Sequence, residues 1–211
     1  MAEIRRFILD GLDSNSYVIT TENSCYIVDI GGIRVESLIE YIKRTGKELK
    51  GLFLTHGHID HIEGINIVMK EFGNIPVYIG VEDEKSLFDN ELNLAVYFPE
   101  KKFKLNSSES VKIVKEGDLI DGIFEIIETP GHTAGSITIA YEDEKALFTG
   151  DTMFKGNIGR TDLPTGDYKV IWKSLKKLTN LDDDFKVYPG HGDFSDIKSE
   201  RENLFSGDVY Y

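Results

Sequence analysis

Hydrophobic and polar residues alternate along this chain in a way that predicts many short strands. Apolar runs rich in β-branched residues, bounded by Gly, Pro, Asn or Asp, are typical of strands. In the first half of the chain they predict strands at Ile4–Leu9, Ser16–Thr20, Cys25–Ile30, Leu49–Thr55 and Pro76–Gly80. In the second half they predict strands at Val111–Lys115, Phe124–Thr129, Ile137–Tyr141, Ala146–Thr149 and Lys186–Tyr188.

Helices are predicted between these strands wherever apolar residues recur three or four positions apart. The pattern predicts helices at Val35–Arg44, Ile62–Phe72, Asp167–Leu178 and Ile197–Phe205. A turn between the first two strands is predicted from Gly11, Asp13, Ser14 and Asn15. The stretch Glu82–Ser108 is less regular and predicts a short helix followed by an aromatic loop around Tyr97 and Phe98.

The order of these elements indicates a mixed α/β (α+β) fold built on two sheets. Strands occur in two batches, each punctuated by helices, which favours two sheets packed face to face with helices on the outside. A doubly wound parallel sheet fits less well, because many connections are as short as hairpins. The chain contains no internal repeat, Pro-rich linker or low-complexity tract, so a single domain over residues 1–211 is expected.

Charge and composition narrow the classes of partner. The 211 residues carry 24 basic and 37 acidic side chains, a formal charge of −13, which argues against nucleic acid or an anionic membrane as a partner. No apolar stretch approaches the roughly 18 residues of a membrane span, and no signal peptide is evident. The single cysteine, Cys25, excludes an internal disulfide and lies in a predicted core strand. We therefore expect a cytoplasmic enzyme that acts on a small molecule; its oligomeric state is not predicted.

Metal-binding chemistry is indicated by the segment Thr55-His56-Gly57-His58-Ile59-Asp60-His61, directly after a predicted strand. Side chains two positions apart on an extended segment project to the same side, so His56 and His58 can converge on one ion. Asp60 and His61 follow at the turn into the next helix, where they can face a second ion. A single histidine is usually a polar surface residue, but three histidines and an aspartate within six residues favour a metal site.

The remaining candidate ligands also follow predicted strands. His132 lies in Pro-Gly-His-Thr, Asp151 in Thr-Gly-Asp-Thr and His191 in Pro-Gly-His-Gly. All five histidines of the chain thus fall in loops at strand ends, which are expected to meet at one edge of the sheets. Nitrogen and carboxylate ligands without thiolate suit zinc, iron or manganese.

The motif order His-x-His-x-Asp-His, Gly-His-Thr, Gly-Asp-Thr and Gly-His-Gly resembles that of the metallo-β-lactamase-fold superfamily. The resemblance runs over nearly the whole chain and implies a four-layer αββα sandwich of two mixed sheets, with the metals at one edge. It further implies that one ion is held by His56, His58 and His132. A second ion would be held by Asp60, His61 and His191, with Asp151 bridging the two.

Two further segments narrow the resemblance. Residues 156–167 (GNIGRTDLPTGD) and 89–94 (DNELNL) resemble those of small glyoxalase II-like, or hydroxyacylglutathione hydrolase-like, enzymes. The resemblance implies two divalent ions, expected to be zinc with iron or manganese as alternatives. It also implies a bridging hydroxide that attacks a small thioester such as S-2-hydroxyacylglutathione. True β-lactamases of this fold lack the bridging aspartate, so β-lactam hydrolysis is not expected as a dedicated role.

The chain ends about 20 residues after His191, so the C-terminal helical domain that helps classical glyoxalase II bind glutathione is expected to be missing. Within the site, Asp60 is expected to orient the metal-bound hydroxide. The resemblance places Asp29 near the metal loops, where it either contacts a metal ligand or caps a turn. Arg160 either binds an anionic substrate or, as we favour, pairs with Asp162. Tyr97 either forms a wall above the metals or fills the core.

Two other functions are consistent with the pattern. Persulfide dioxygenases share the Gly-Arg-Thr-Asp stretch and hold a single iron through residues that match His56, His132 and Asp151. The continuation Leu-Pro-x-Gly-Asp favours the hydrolase. A non-catalytic domain is the other alternative, and the complete set of seven candidate ligand residues argues against it.

Overall fold

The computed structural model describes residues 2–9 and 12–205. Its first sheet contains β1 (Glu3–Ile8), β2 (Asn15–Thr20), β3 (Ser24–Val28), β4 (Glu48–Phe53), β5 (Val77–Gly80) and β6 (Val111–Val114), in that order. β1, β2 and β3 pair antiparallel, whereas β3 to β6 pair parallel. The sheet is therefore mixed, as predicted.

The later strands are β7 (Leu119–Ile120), β8 (Phe124–Glu128), β9 (Ile137–Tyr141), β10 (Ala146–Gly150), β11 (Met153–Phe154), β12 (Asn157–Ile158), β13 (Lys186–Pro189) and β14 (Ser195–Asp196). Six of them form the second sheet, in the order β14-β13-β10-β9-β8-β7, and β11 pairs with β12 in a small hairpin. Within the second sheet β10 and β13 are parallel, and the other pairs are antiparallel.

The helices are α1 (Glu36–Thr45), α2 (Ile59–Ile62), α3 (Ile65–Phe72), α4 (Tyr168–Leu178) and α5 (Ile197–Phe205), with 3-10 turns at Val81–Leu87, Ala95–Tyr97, Ser108–Ser110 and Glu142–Glu144. α4 begins after Asp167, whose carboxylate accepts hydrogen bonds from the backbone N–H groups of the first turn. None of the helices in the described ranges combines the length and the apolar character needed to cross a membrane.

Three apolar clusters separate four layers. Because successive side chains of a strand point to opposite faces, Val18 packs against α1 and α3 while its neighbour Ile19 packs between the sheets. In the second sheet Phe148 packs between the sheets, and Leu147 packs against α4 and α5. This alternation confirms the predicted αββα sandwich.

One predicted helix is divided. The interval Ile62–Phe72 was expected to be continuous, but helical structure begins earlier, at Ile59, and breaks between α2 and α3. The reason is that Gly64 N–H donates to the carbonyl of Ile30 at 3.2 Å, outside the helix. The carbonyl of Asp60 accepts a hydrogen bond from Ser14 Oγ at 2.6 Å. The helical ladder is interrupted because both groups have partners on other segments.

Other differences concern the edges of the sheets. β6 follows the irregular stretch but returns to the first sheet, so it does not begin the second batch of strands. The two-residue strands β7, β11, β12 and β14 are too short to leave a sequence pattern. Asn15 was predicted as a turn residue, yet it is buried as the first residue of β2. Gly11, from the same predicted turn, lies outside the described residues.

Candidate metal centre

The topology of the second sheet brings three of the candidate ligands to one edge. β8 and β10 are both antiparallel to β9, and β13 is parallel to β10, so the three strands end at the same edge. His132, Asp151 and His191 follow β8, β10 and β13, respectively. The loop after β4 brings in His56 and His58 from the first sheet, and α2 carries Asp60 and His61. The structure therefore brings together all seven predicted ligands.

Three of these histidines form an equilateral group. The ring centroids of His56, His58 and His132 are 4.7 Å apart in every pair, and all three side chains are buried. His132 Nε2 lies 2.9 Å from His58 Nδ1, so these two nitrogens face the same point. One nitrogen from each ring lies within 4.8 Å of the others, a spacing compatible with one metal ion.

A second group consists of Asp60, His61 and His191. Asp60 Oδ2 lies 3.2 Å from His191 Nε2 and 3.7 Å from His61 Nε2. These three ligand atoms also lie within 4.8 Å of one another. The grouping is the one that the family resemblance implies for the second ion.

Asp151 lies between the two groups. Its Oδ1 is 3.4 Å from His61 Nε2, while its Oδ2 is 3.6 Å from both His132 Nε2 and His191 Nε2. One carboxylate can therefore face both candidate ions, which is the arrangement that a bridging ligand requires.

Hydrogen bonds of Nδ1, on the side of each ring that faces away from the cluster, fix the orientation of three of the histidines. His61 Nδ1 donates to Asp29 Oδ2 at 2.8 Å, and His132 Nδ1 donates to the carbonyl of Arg160 at 2.7 Å. Thr55 Oγ1 donates to Asp29 Oδ2 at 2.7 Å, so it accepts from His56 Nδ1 at 3.1 Å. With Nδ1 protonated, each ring directs the lone pair of Nε2 into the cluster.

The cluster has the properties of a metal site. Within the described part of the chain, the buried atoms His56 Nε2, His58 Nε2, His61 Nε2 and Asp151 Oδ1 have no hydrogen-bond partner. Buried polar atoms without a partner cost about 1–3 kcal/mol each. His56, His61 and Asp151 also offer ligand atoms that lie within 4.8 Å of one another, so their unpartnered atoms need an external partner. Imidazole and carboxylate donors without thiolate fit divalent zinc, iron or manganese.

Burial and charge prepare the ligands for cations. Burial, together with the neighbouring histidines, lowers the pKa of His56 well below 6.5 and that of His58 to about 3. Burial alone would also lower the pKa of His61. The negative charges of Asp60, Asp151 and Asp29 have a larger effect, so its pKa is raised well above 6.5. Burial opposes ionisation of Asp60 and Asp151, yet the adjacent His61 keeps the pKa of both carboxyls below the usual range.

Two residues that sequence reasoning missed hold the ligand loops. Asp83 is buried and accepts hydrogen bonds from Gly57 N–H at 2.9 Å, Thr133 Oγ1 at 2.7 Å and Gly135 N–H at 3.0 Å. Its carboxylate thus joins the loop of His56 and His58 to the loop of His132. The sequence offers no signal for this role, because Asp83 stands between two other acidic residues in an irregular stretch.

Asn15 performs the equivalent task for His191. Its Nδ2 donates to the carbonyls of Pro189 at 2.9 Å and Gly192 at 3.0 Å, and its backbone N–H donates to the carbonyl of Gly190 at 2.6 Å. Three hydrogen bonds from one residue of the first sheet therefore fix the loop that carries His191. The only sequence signal was an Asn next to a strand, which is equally typical of a turn.

A cleft of about 440 Å³ opens beside the cluster. Besides five of the candidate ligands, it is lined by Arg160 and by the apolar side chains of Leu12, Ile59, Leu94, Phe98, Phe154 and Leu163. Phe98 thus belongs to the wall, whereas its neighbour Tyr97 is 67% exposed and does not line the cleft. The Arg160 guanidinium donates two hydrogen bonds, of 2.7 and 2.8 Å, to the carboxylate of Asp162.

Cys25, by contrast, packs into the apolar cluster between the first sheet and its helices. Its Sγ lies 3.4 Å from Thr45 Oγ1, away from the metal-ligand residues. It takes no part in the candidate centre, in agreement with the sequence interpretation.

Comparison with known proteins agrees with the fold. The chain is 35% identical over 195 residues to the hydroxyacylglutathione hydrolase GloC of Haemophilus influenzae, with 86% of each chain covered. The solved B3 metallo-β-lactamase BLEG-1 matches with a TM-score of 0.88 and 31% identity, over 96% of this chain and 99% of that one. TTHA1623, solved in a di-iron-bound form, matches with a TM-score of 0.85 and 27% identity, over 94% and 98%.

A family model also covers the site. The model of the metallo-beta-lactamase superfamily matches residues 9–191, from the residue after β1 to the last candidate ligand. The fold family implies binding of divalent metal ions, and the His/Asp cluster has the donor atoms for it. The chain therefore belongs to the metallo-β-lactamase superfamily.

Proposed function

We propose that this protein is a binuclear metallohydrolase that cleaves small thioesters, with S-2-hydroxyacylglutathione as the reference substrate. The observation that carries the proposal is the cluster of seven side chains in which Asp151 lies between two groups of three ligands. His56, His58 and His132 would hold one ion, and Asp60, His61 and His191 the other. When bound, a pair of divalent ions lowers the pKa of a water and polarises a carbonyl oxygen.

The chain's own residues orient the reactants. Asp60 lines the cleft, and its pKa lies below the usual range, so at neutral pH it is a carboxylate that can accept a hydrogen bond from the attacking water. Asp29 and Thr55 hold the rings of His61 and His56 in place. The apolar side chains of the cleft exclude bulk water from the acyl group.

A thioester suits this cleft because of its leaving group. A thiol has a pKa of about 8.5 and leaves as the thiolate, whereas an amine must be protonated as it departs. Apart from the candidate ligands, the described residues that line the cleft are six apolar side chains and Arg160. None of these is a general acid near neutral pH, so the site is better matched to a thiolate. The name of the similar GloC protein supports the same substrate class.

The proposal is tested by loading the purified protein with zinc and following thiol release from S-D-lactoylglutathione and from simple acyl thioesters. Turnover is expected, and Asp151→Ala is expected to abolish most of it. If the metal-loaded protein turns over none of these thioesters, the proposal is wrong.

Two alternative activities are tested on the purified protein with assays of their own. The similarity to a B3 metallo-β-lactamase calls for an assay with a chromogenic cephalosporin. A mono-iron persulfide dioxygenase would use His56, His132 and Asp151, and is tested by elemental analysis together with oxygen uptake on glutathione persulfide. One iron per chain with oxygen consumption would replace the hydrolase proposal.

A further inference from the structure

We infer that the cleft selects thioesters whose acyl and thiol parts are apolar and uncharged, and that it discriminates against glutathione as the thiol. The inference rests on the proposed thioesterase function and names the substrate class of the same site. It is drawn from the side chains that surround the reacting position, outside the metal-ligand cluster.

The wall of the cleft is apolar. The six apolar lining residues come from four separate segments, namely the N-terminal loop, α2, the two residues that flank the Ala95–Tyr97 turn, and the stretch from β11 to Leu163. An alkyl group that enters such a wall leaves water and gains dispersion contacts. Acyl chains longer than lactoyl would therefore bind better.

One of these apolar side chains is held in place against its backbone preference. Leu94 has a φ of +69°. This left-handed conformation is unfavourable in free energy for any residue that carries a side chain. The preceding Asn93 fixes this turn, since its Oδ1 accepts from Ala95 N–H at 3.0 Å and its carbonyl accepts from Ile59 N–H at 2.8 Å. The same residue thus positions Leu94 and Ile59, two adjacent parts of the apolar wall.

The described residues of the cleft include no unpaired cation for glutathione. Glutathione carries two carboxylates, which need positively charged partners when they leave water. Arg160 is the one basic residue among the described side chains of the lining, and both its hydrogen bonds go to Asp162. The hydrogen bond from Arg160 lowers the pKa of Asp162 to about 2, so the ion pair is fully charged at neutral pH. Its guanidinium therefore already has a carboxylate partner.

The experiment uses four thioesters and the metal-loaded protein. Lactoyl and hexanoyl groups are each attached to glutathione and to uncharged N-acetylcysteamine, and kcat/KM is measured for all four. The kcat/KM for the hexanoyl ester of N-acetylcysteamine is expected to be about tenfold or more above that for the hexanoyl ester of glutathione. An effect of this size is typical of one misplaced substrate group in an apolar pocket. Equal or faster turnover of the glutathione esters overturns the inference while the proposed function stands.

A variant tests the role of the ion pair directly. Asp162→Asn frees Arg160, so kcat/KM for the glutathione esters is expected to rise while that for the N-acetylcysteamine esters stays unchanged. The control is Asp182→Asn, which removes the same charge from an exposed residue beside Lys145, before β13 and far from the cleft. If both variants leave the glutathione esters unaffected, Arg160 is not the missing cation and the inference fails.

Binding separates this inference from the proposed function. If none of the four esters is hydrolysed, the proposed thioesterase function is wrong, and calorimetry with two non-hydrolysable thioethers still decides the selectivity. S-hexyl-N-acetylcysteamine is expected to bind more tightly than S-hexylglutathione. The opposite order, or no binding of either, overturns the selectivity as well.

Discussion

Asp29 Oδ2 lies 2.8 Å from His61 Nδ1 behind the metal-ligand cluster, and both side chains are buried. The same carboxylate accepts hydrogen bonds from the N–H and the hydroxyl of Thr55, which in turn contacts His56. One carboxylate therefore orients one ring from each group of ligands. Asp29 does so with a φ of +56°, a conformation that Asp and Asn tolerate better than other side chains.

Replacing Asp29 by Asn tests this arrangement without straining the backbone. The variant keeps the left-handed conformation and an acceptor oxygen, but loses the negative charge that makes the Nε2 atoms good ligands. We expect metal affinity to fall by about 10–100-fold, as for other residues that hydrogen-bond to a ligand. A competition titration with a chelator measures it.

The matched control is Asp121→Asn. Asp121 also has a positive φ, of +50°, but it is exposed and follows β7, away from the cluster. The Asp121→Asn protein should bind metal with the affinity of the wild type. Equal affinities for both variants would show that the charge of Asp29 is not needed.

Asp151→Ala tests the bridging role. Among the residues that the structure describes, Asp151 is the one carboxylate whose two oxygens face histidines of both groups, so its loss should weaken both ion sites together. We expect the metal content to fall below two ions per chain and thioesterase activity to drop by several orders of magnitude. Elemental analysis and kcat measure the two effects, and an unchanged stoichiometry would remove Asp151 from the bridge.

Asp83→Asn tests the connection between the two loops of the first group. The neutral amide has one acceptor oxygen for three donors, Gly57 N–H, Thr133 Oγ1 and Gly135 N–H. We expect the free energy of unfolding to fall by about 1–3 kcal/mol, because a buried donor is left without a partner. Metal should be lost first from the group of His56, His58 and His132. A cobalt-substituted protein, whose visible spectrum reports the ligand set, distinguishes the two groups.

Asn15→Ala is the counterpart for the second group. It removes the two hydrogen bonds from Nδ2 to the carbonyls of Pro189 and Gly192, while the backbone contact to Gly190 stays. We expect a loss of about 1–3 kcal/mol in unfolding free energy and preferential loss of the ion near His191. Asn15→Ala and Asp83→Asn are controls for each other. If both variants lost the ion from the same group of ligands, the two residues would not act on separate groups.

The sequence predicted the sandwich and the meeting of all five histidines, because ligand spacing and strand alternation are local properties. It did not predict the residues that hold the loops. Asn15 acts on a segment 174 residues away and Asp83 on segments 26 and 50 residues away, and nothing in their neighbourhood distinguishes them from turn or surface residues. The break before α3 was missed for the same reason, since Gly64 donates to a carbonyl of another segment.

The two groups of ligands should lose their ions at different pH values. His56 and His58 have pKa values below 6.5, His58 at about 3, so few protons compete with an ion there at neutral or mildly acidic pH. The carboxylates around His61 and His191 outweigh burial and raise their pKa values above 6.5. As the pH falls through these raised values, protons displace the ion held by Asp60, His61 and His191.

We therefore expect the metal content to fall from two ions to one on mild acidification, and from one to none only at a lower pH. Equilibrium dialysis at a series of pH values, followed by elemental analysis, measures both steps. The Asn15→Ala protein should lack the first step, because its ion near His191 is already lost, whereas the Asp83→Asn protein should lack the second. A single step in which both ions leave together would show that the cluster behaves as one site, held together by Asp151.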